Sequence, residues 1–207
     1  MSNRKVVPWR VLSSRISFAD RWLRVRTDRC ETGHGARVEA YHVLESGDWV
    51  NIVALTRDGC RLLLAREYRH GRGEIVIGLV GGLMEPADGS GEAAARRELL
   101  EETGYGGGVF MPVLTGYANA ARQNNLITTF LAVAVAPVSA PCPDGAETVE
   151  VIEDDLAAVL LRLQRGEQRM QVSHIAALWS AAATILAVDV PGAGVVRDQL
   201  RSALSPQ

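Results

Sequence analysis

Cysteine, aromatic residues and lysine are all scarce in this chain of 207 residues. Three cysteines, Cys30, Cys60 and Cys142, lie far apart and form no C-x-x-C pair. That spacing argues against a disulfide scaffold, a redox dithiol and a zinc knuckle, and reads as free thiols in a reducing compartment. Aromatics make up 5% of the residues, so the core must rest on Val, Leu, Ile and Ala. Lys5 stands alone beside 21 arginines, and the formal net charge is only −2. Such a balance gives no electrostatic footing for nucleic acid or an anionic membrane. The longest apolar stretch, Ile175 to Val188, is short for a bilayer span and contains Ser180, so it reads as a buried helix. The opening residues, MSNRKVVPWRVLSS, lack the apolar segment of a signal peptide, and the expected location is cytoplasmic.

What remains is an ordinary globular composition, 47% hydrophobic and 22% charged, enough for one domain or one domain with an appendage. Residues 9 to 70 read as strand-rich, with Trp9–Ser17, Trp22–Thr27 and Arg37–Leu44 separated by turn formers. Trp49–Thr56 and Arg61–Arg66 flank Arg57-Asp58-Gly59, a hairpin signal. A strand over Ile75–Val80 runs into Gly81-Gly82. EAAARRELLEET, residues 92 to 103, is composed of helix formers and halts at Gly104. Phe130–Val135 and Val149–Ile152 read as strands, with a loop from Pro137 to Gly145 between them. Asp154–Arg165, Val172–Ala187 and Val195–Leu204 follow helical spacing. Strands, one helix, strands and then helices favour an α+β or layered α/β/α arrangement.

The chemistry is concentrated between Gly82 and Tyr105. From Glu85 to Glu102 six acids face two bases. On a helix Glu98, Glu101 and Glu102 share one side. Like charges at these spacings repel, and they crowd the negative end of the helix dipole. Folding alone favours Lys or Arg there, and local rules tend to be broken where function demands it. Carboxylate oxygens without nearby Cys or His suit a hard divalent cation, Mg2+ or Mn2+, rather than zinc.

Arg97-Glu98-Leu99-Leu100-Glu101-Glu102-Thr103-Gly104-Tyr105 matches in full the second half of the Nudix hydrolase signature, G-x5-E-x7-R-E-U-x-E-E-x-G-U, where U is a bulky apolar residue. The chain resembles that family. In the first half, counted from Gly82, Asp88 stands where Glu is expected. The stretch to Arg97 is one residue longer than in the family, within Gly89-Ser90-Gly91. Outside the signature, Glu67-Tyr68-Arg69, the run from Ala118 to Asn125 and the ending around Ser173-His174-Ile175 are similar to the ADP-ribose pyrophosphatase branch. Gly78-Leu79-Val80-Gly81-Gly82 departs from the Glu-x-Pro-Ala-Gly common there.

The resemblance implies a Nudix α/β/α sandwich with a mixed sheet over residues 47–207. It implies a small antiparallel β domain over residues 1–46 that pairs two subunits into a homodimer. It implies Mg2+-dependent hydrolysis of a pyrophosphate bond in a small nucleoside diphosphate substrate, with ADP-ribose cut to AMP and ribose 5-phosphate. Other substrates within the same chemistry are GDP-mannose, NADH and dinucleoside polyphosphates. A non-catalytic nucleotide-sensing domain is a different class, against which the intact acidic cluster argues. By the resemblance Glu98, Glu101 and Glu102 hold the metal with a carbonyl of Gly81 or Gly82, and Arg97 orients them. Glu147 is the preferred catalytic base over Glu150 and Asp144. Arg69 and Arg122 are candidates for the diphosphate, and Trp22 or Phe18 for stacking on adenine. His174, on an apolar helix, reads as structural.

Overall fold

A computed structural model of the chain describes residues 5–58, 60–142 and 148–205. Two units emerge, residues 1–47 with 117–126, and residues 48–116 with 127–207.

In the first unit, three runs rich in β-branched and aromatic residues become β1 (Arg10–Ala19), β2 (Arg24–Glu31) and β3 (Arg37–Glu45). They form an antiparallel sheet in chain order. Its central strand buries Thr27, Asp28 and Cys30. Arg26 reaches both Asp28, at 3.0 Å, and Glu45, at 2.5 Å, and these carboxylates hold its guanidinium above its ordinary pKa against the cost of burial. The segment 117–126 adds the main-chain bond from the Leu44 N–H to the Arg122 carbonyl at 2.8 Å and the Tyr41 hydroxyl bond to Ala121 at 2.5 Å.

The second unit is built on a mixed sheet. It contains β4 (Trp49–Thr56), β5 (Leu62–Arg69), β6 (Glu74–Gly78), β7 (Val80–Leu83), β8 (Tyr105–Gly106), β9 (Val109–Tyr117), β10 (Leu126–Pro137) and β11 (Val149–Asp154). The central order is β11-β5-β4-β10-β8, with β6 on β5, β7 on β4 and β9 on β10. β4 and β10 run parallel, whereas β8–β10, β11–β5, β4–β5, β4–β7 and β5–β6 are antiparallel. β9 has no counterpart among the strands expected from sequence.

Period-2 alternation divides this sheet into two apolar faces. Val50, Ile52, Ala54, Leu63, Ala65, Phe130 and Ala132 meet Ala94, Ala95 and Leu99 of α1 (Gly91–Thr103). Val53, Leu55, Leu62, Leu64, Leu131 and Val133 meet α2 (Leu156–Gln164), α3 (Val172–Ala187) and α4 (Gly194–Leu204). That is the α/β/α sandwich the sequence led us to expect. At Ala134, φ is 63° and the β4–β10 register slips, so Val135 joins the α1 side although Val133 faces the other helices. Among the described residues, no helix is long and apolar enough to cross a membrane.

Candidate active site

The turn into α1 begins at Ser90, whose hydroxyl accepts the Ala93 N–H at 3.1 Å and caps the helix. Glu92 sits favourably in the first turn, while the last turn holds no basic residue. Gly104 ends the helix in the left-handed region, φ 72°, and its N–H bonds to the Leu100 carbonyl at 2.8 Å. The extra residue of the signature therefore falls in the capping turn, ahead of the catalytic-type run, and leaves the spacing from Arg97 to Gly104 untouched.

Burial of Ala94, Ala95 and Leu99 fixes the rotation of α1 on the sheet and leaves Arg97, Glu98, Glu101 and Glu102 half-buried at its edge. Arg97 is the hub. Its Nη1 donates to Glu98 Oε1 and to Glu101 Oε2, both at 2.9 Å. Its Nε and Nη2 grip Asp88 Oδ1 and Oδ2 at 2.8 and 3.1 Å, and Nη2 also reaches the Leu83 carbonyl at 3.0 Å. All five donor directions of a guanidinium are fixed by its planar fork, so these partners lock its position. The Asp88 carboxyl is held below its ordinary pKa, first by Arg97 and then by the Glu85 N–H, 2.7 Å from Oδ2. The Arg97 guanidinium is raised well above its ordinary value, chiefly by Asp88.

Glu98 is pressed against the chain at Gly82. A Cβ placed on Gly82 would lie 2.2 to 2.6 Å from the carboxylate atoms of Glu98, so only glycine admits that carboxylate. Gly82 is positioned by pairing with Val50 across β7 and β4.

The fit of a divalent ion can be judged from these donors. Asp88, Glu98 and Glu101 share one guanidinium, and Glu102 lies half-buried in the same last turn of α1. Four carboxylates against one cation leave a surplus of negative charge, and the donors are all hard oxygens. Among the described residues, no three His, Cys, Asp or Glu side chains already converge as a finished metal cage. The donor chemistry and the Gly82 cradle fit a divalent cation whose remaining ligands come from main-chain oxygen, water or substrate.

The other expected residues are more dispersed. Glu147 and Asp144 lie outside the described residues. Glu150, on β11, pairs with Arg66 at 3.3 Å, both exposed, beside a hollow of about 260 Å3. Arg69, at the end of β5, pairs with Glu67 at 2.5 Å and lines a cavity of about 620 Å3. Arg122 is exposed in the smaller unit. Trp22, 76% exposed, lies in the β1–β2 turn with the Arg21 guanidinium 4.2 Å from its ring centroid. Phe18 is also exposed.

Sequence reasoning saw Asp88 only as a shortened substitute. It missed that Asp88 is the residue anchoring Arg97. The signal was present, since an acid before an N-cap and an Arg two turns into the helix is a pairing pattern. His174, expected to be structural, also lines the cavity beside Arg69. The ring is buried, and its Nδ1 accepts the Leu79 N–H at 3.1 Å. Burial, helped by the positive charge of Arg69, pushes its pKa down to about 4.

A family model for the NUDIX domain matches residues 47–171, which is more than half of the chain. The chain belongs to the Nudix family. A second model, the nucleoside diphosphate sugar hydrolase N-terminal domain, matches residues 9–44 of this Nudix protein. Together these matches make the chain a Nudix pyrophosphohydrolase. Members of the family generally need a divalent metal ion. A solved structure described as an ADP compounds hydrolase superposes with a TM-score of 0.76 at 22% identity. The match covers 87% of this chain and 95% of that one, and it shows the shared fold. No curated protein matches the chain.

Proposed function

We propose that this Nudix protein hydrolyses the pyrophosphate bond of a nucleoside diphosphate derivative, with ADP-ribose as leading substrate, giving AMP and ribose 5-phosphate. The observation carrying this reading is Arg97 holding Glu98 and Glu101 together while Glu98 rests on Gly82. The name of the superposed hydrolase and the N-terminal family match support an ADP-linked or sugar-linked diphosphate.

Glu98, Glu101 and Glu102, with the Gly82 carbonyl, would hold Mg2+, for which Mn2+ substitutes. A bound divalent ion neutralises phosphate oxygens and makes a water more acidic. Arg97 keeps the carboxylates in register and stays off the substrate. Glu147 takes the proton as water attacks phosphorus and the bridging P–O bond opens. Arg69 and Arg122 offer planar donor forks to the diphosphate, and Trp22 offers a face to adenine. Residues 1–46 form a pairing domain and 47–207 the hydrolase domain of a cytoplasmic homodimer. Exposed Val11, Ile16 and Phe18 on the small sheet, with Trp22 and Leu23 in its β1–β2 turn, support the pairing, and three free cysteines support the compartment.

The test is a panel of ADP-ribose, NADH, GDP-mannose and a dinucleoside polyphosphate, each with Mg2+, with Mn2+ and with chelator, followed by product identification. Release of AMP and ribose 5-phosphate from ADP-ribose, lost with chelator, is the expected result. Preference for another member of the panel would move the substrate and keep the chemistry. Inertness toward all four with either ion would overturn the reading.

A further inference from the structure

The helix α3, in the larger unit, carries no charged residue along its 16 positions. One side lies on the sheet through buried Leu178, Ala181 and Ile185. The opposite side faces outward and is apolar as well. Val172 is 81% exposed and Trp179 37%, Ala176 and Ala183 are exposed, and Ile175 and Leu186 are half-buried at the margin. These positions follow the three- and four-residue spacing of a single helical stripe. A surface helix ordinarily turns charged residues outward, and a contiguous apolar stripe in their place marks an interaction face.

Both ends of the helix are electrostatically mismatched. Gln171 makes no side-chain cap, the first turn holds no acid and the last turn no base. Arg169, exposed and without an ion-pair partner among the described residues, precedes the positive N-terminal end. Asp189 follows the negative C-terminal end, and its side chain is 89% exposed despite a pair with Arg197 at 3.0 Å. Each charge has the wrong sign for its own helix and the right sign for an antiparallel helix alongside. The stripe is also symmetric about Trp179. Val172 and Leu186 stand seven residues to either side of it, Ile175 and Ala183 four, and Arg169 and Asp189 ten.

We infer that this face pairs with the same face of a second copy of the chain, the two α3 helices running antiparallel about a twofold axis at Trp179. Such an isologous contact sets Val172 against the partner's Leu186, Ile175 against the partner's Ala183, and the two indoles against each other. At each end Arg169 meets the partner's Asp189, and the helix dipoles oppose. A lipid surface suits the stripe less well, because an interfacial helix brings Lys or Arg on its polar face and α3 has neither. One helix face is small beside the roughly 800 Å2 per partner of a standard interface, so association is concentration-dependent, on the order of micromolar. It is independent of the hydrolytic reading and separate from the pairing proposed for residues 1–46.

The test is sedimentation velocity on the full-length protein across a range from about 1 to about 100 µM. At the top of the range the wild type should have twice the mass of Trp179→Glu, as dimer against monomer, or as tetramer against dimer where the small sheets also pair. Loss of this contact is thereby told apart from loss of the other. Arg169→Asp and Asp189→Arg should each weaken association about fivefold or more, and the double variant should recover it, because exchange restores only charges that face each other. Circular dichroism checks folding, and the charge exchange decides the matter if Trp179→Glu does not fold. Equal mass for the wild type and folded Trp179→Glu at every concentration, or a double variant no tighter than the single ones, would overturn the inference. So would wild-type protein that gains no mass and instead floats with phosphatidylcholine vesicles, which would give the stripe to a lipid surface.

Discussion

Arg97 and Asp88 meet fork to fork across the capping turn of α1, Nε to Oδ1 at 2.8 Å and Nη2 to Oδ2 at 3.1 Å. The same guanidinium then holds Glu98 and Glu101, so the short acid outside the helix fixes two carboxylates on it. Asp88→Asn keeps the shape and loses the charge and one acceptor. Turnover should fall by about tenfold or more while the circular dichroism spectrum stays that of the wild type. Unchanged kcat in Asp88→Asn would show that Arg97 needs no anchor to organise the acids.

Glu98→Gln and Glu102→Gln should each lower kcat by orders of magnitude, because each removes a charged oxygen donor from the proposed ion site. Neither should unfold the protein. Glu102→Gln should leave Tm unchanged or slightly raised, since it takes a negative charge from the C-terminal turn of a helix. Steady-state kinetics beside a melting curve decide the matter, and wild-type turnover in both variants would remove these residues from the mechanism.

Gly82→Ala puts a methyl group where the Glu98 carboxylate lies, 2.2 Å from Oε1. Either Glu98 swings away or β7 shifts from β4. In both cases affinity for Mn2+, followed by paramagnetic resonance of the ion, should drop by about an order of magnitude along with activity. Wild-type Mn2+ affinity in a folded Gly82→Ala protein would mean that Glu98 acts from another rotamer.

His174 gives a pH dependence with a definite sign. Its folded pKa is about 4 against an ordinary 6.5, so the unfolded chain takes up the proton first as pH falls. Stability should be full above about pH 6.5 and decline toward pH 4, by on the order of 3 kcal/mol from this group. Protonation would also set an N–H against the Leu79 N–H that Nδ1 now accepts. His174→Gln should flatten denaturant midpoints measured between pH 4 and 6.5. The same slope in the variant would assign the acid sensitivity elsewhere.

Local signals carried far in this chain. α3 spans Val172–Ala187, as its spacing indicates, and α1 stops at Gly104 because only a residue at ease with positive φ ends a helix that way. Leu99 and Ala95 are apolar, lie one turn apart and face the core together with Ala94. β9 escaped notice because Val109–Tyr117 is broken by Pro112 and Gly116 and has no clean alternation, its strand character coming from pairing with β10. The long sheet segment after β5 divides into β6 and β7 because it pairs first with β5 and then with β4.

The order of residues alone determined that three carboxylates would share the end of one helix, since that follows from a fixed 3.6-residue period. Which groups those side chains meet was a matter for the fold. Gly82 beneath Glu98, and Leu79 bonded to His174 95 positions later, are contacts between distant parts of the chain. No local propensity encodes them, because they exist only once the sheet has registered its strands and the helices have settled on its two faces.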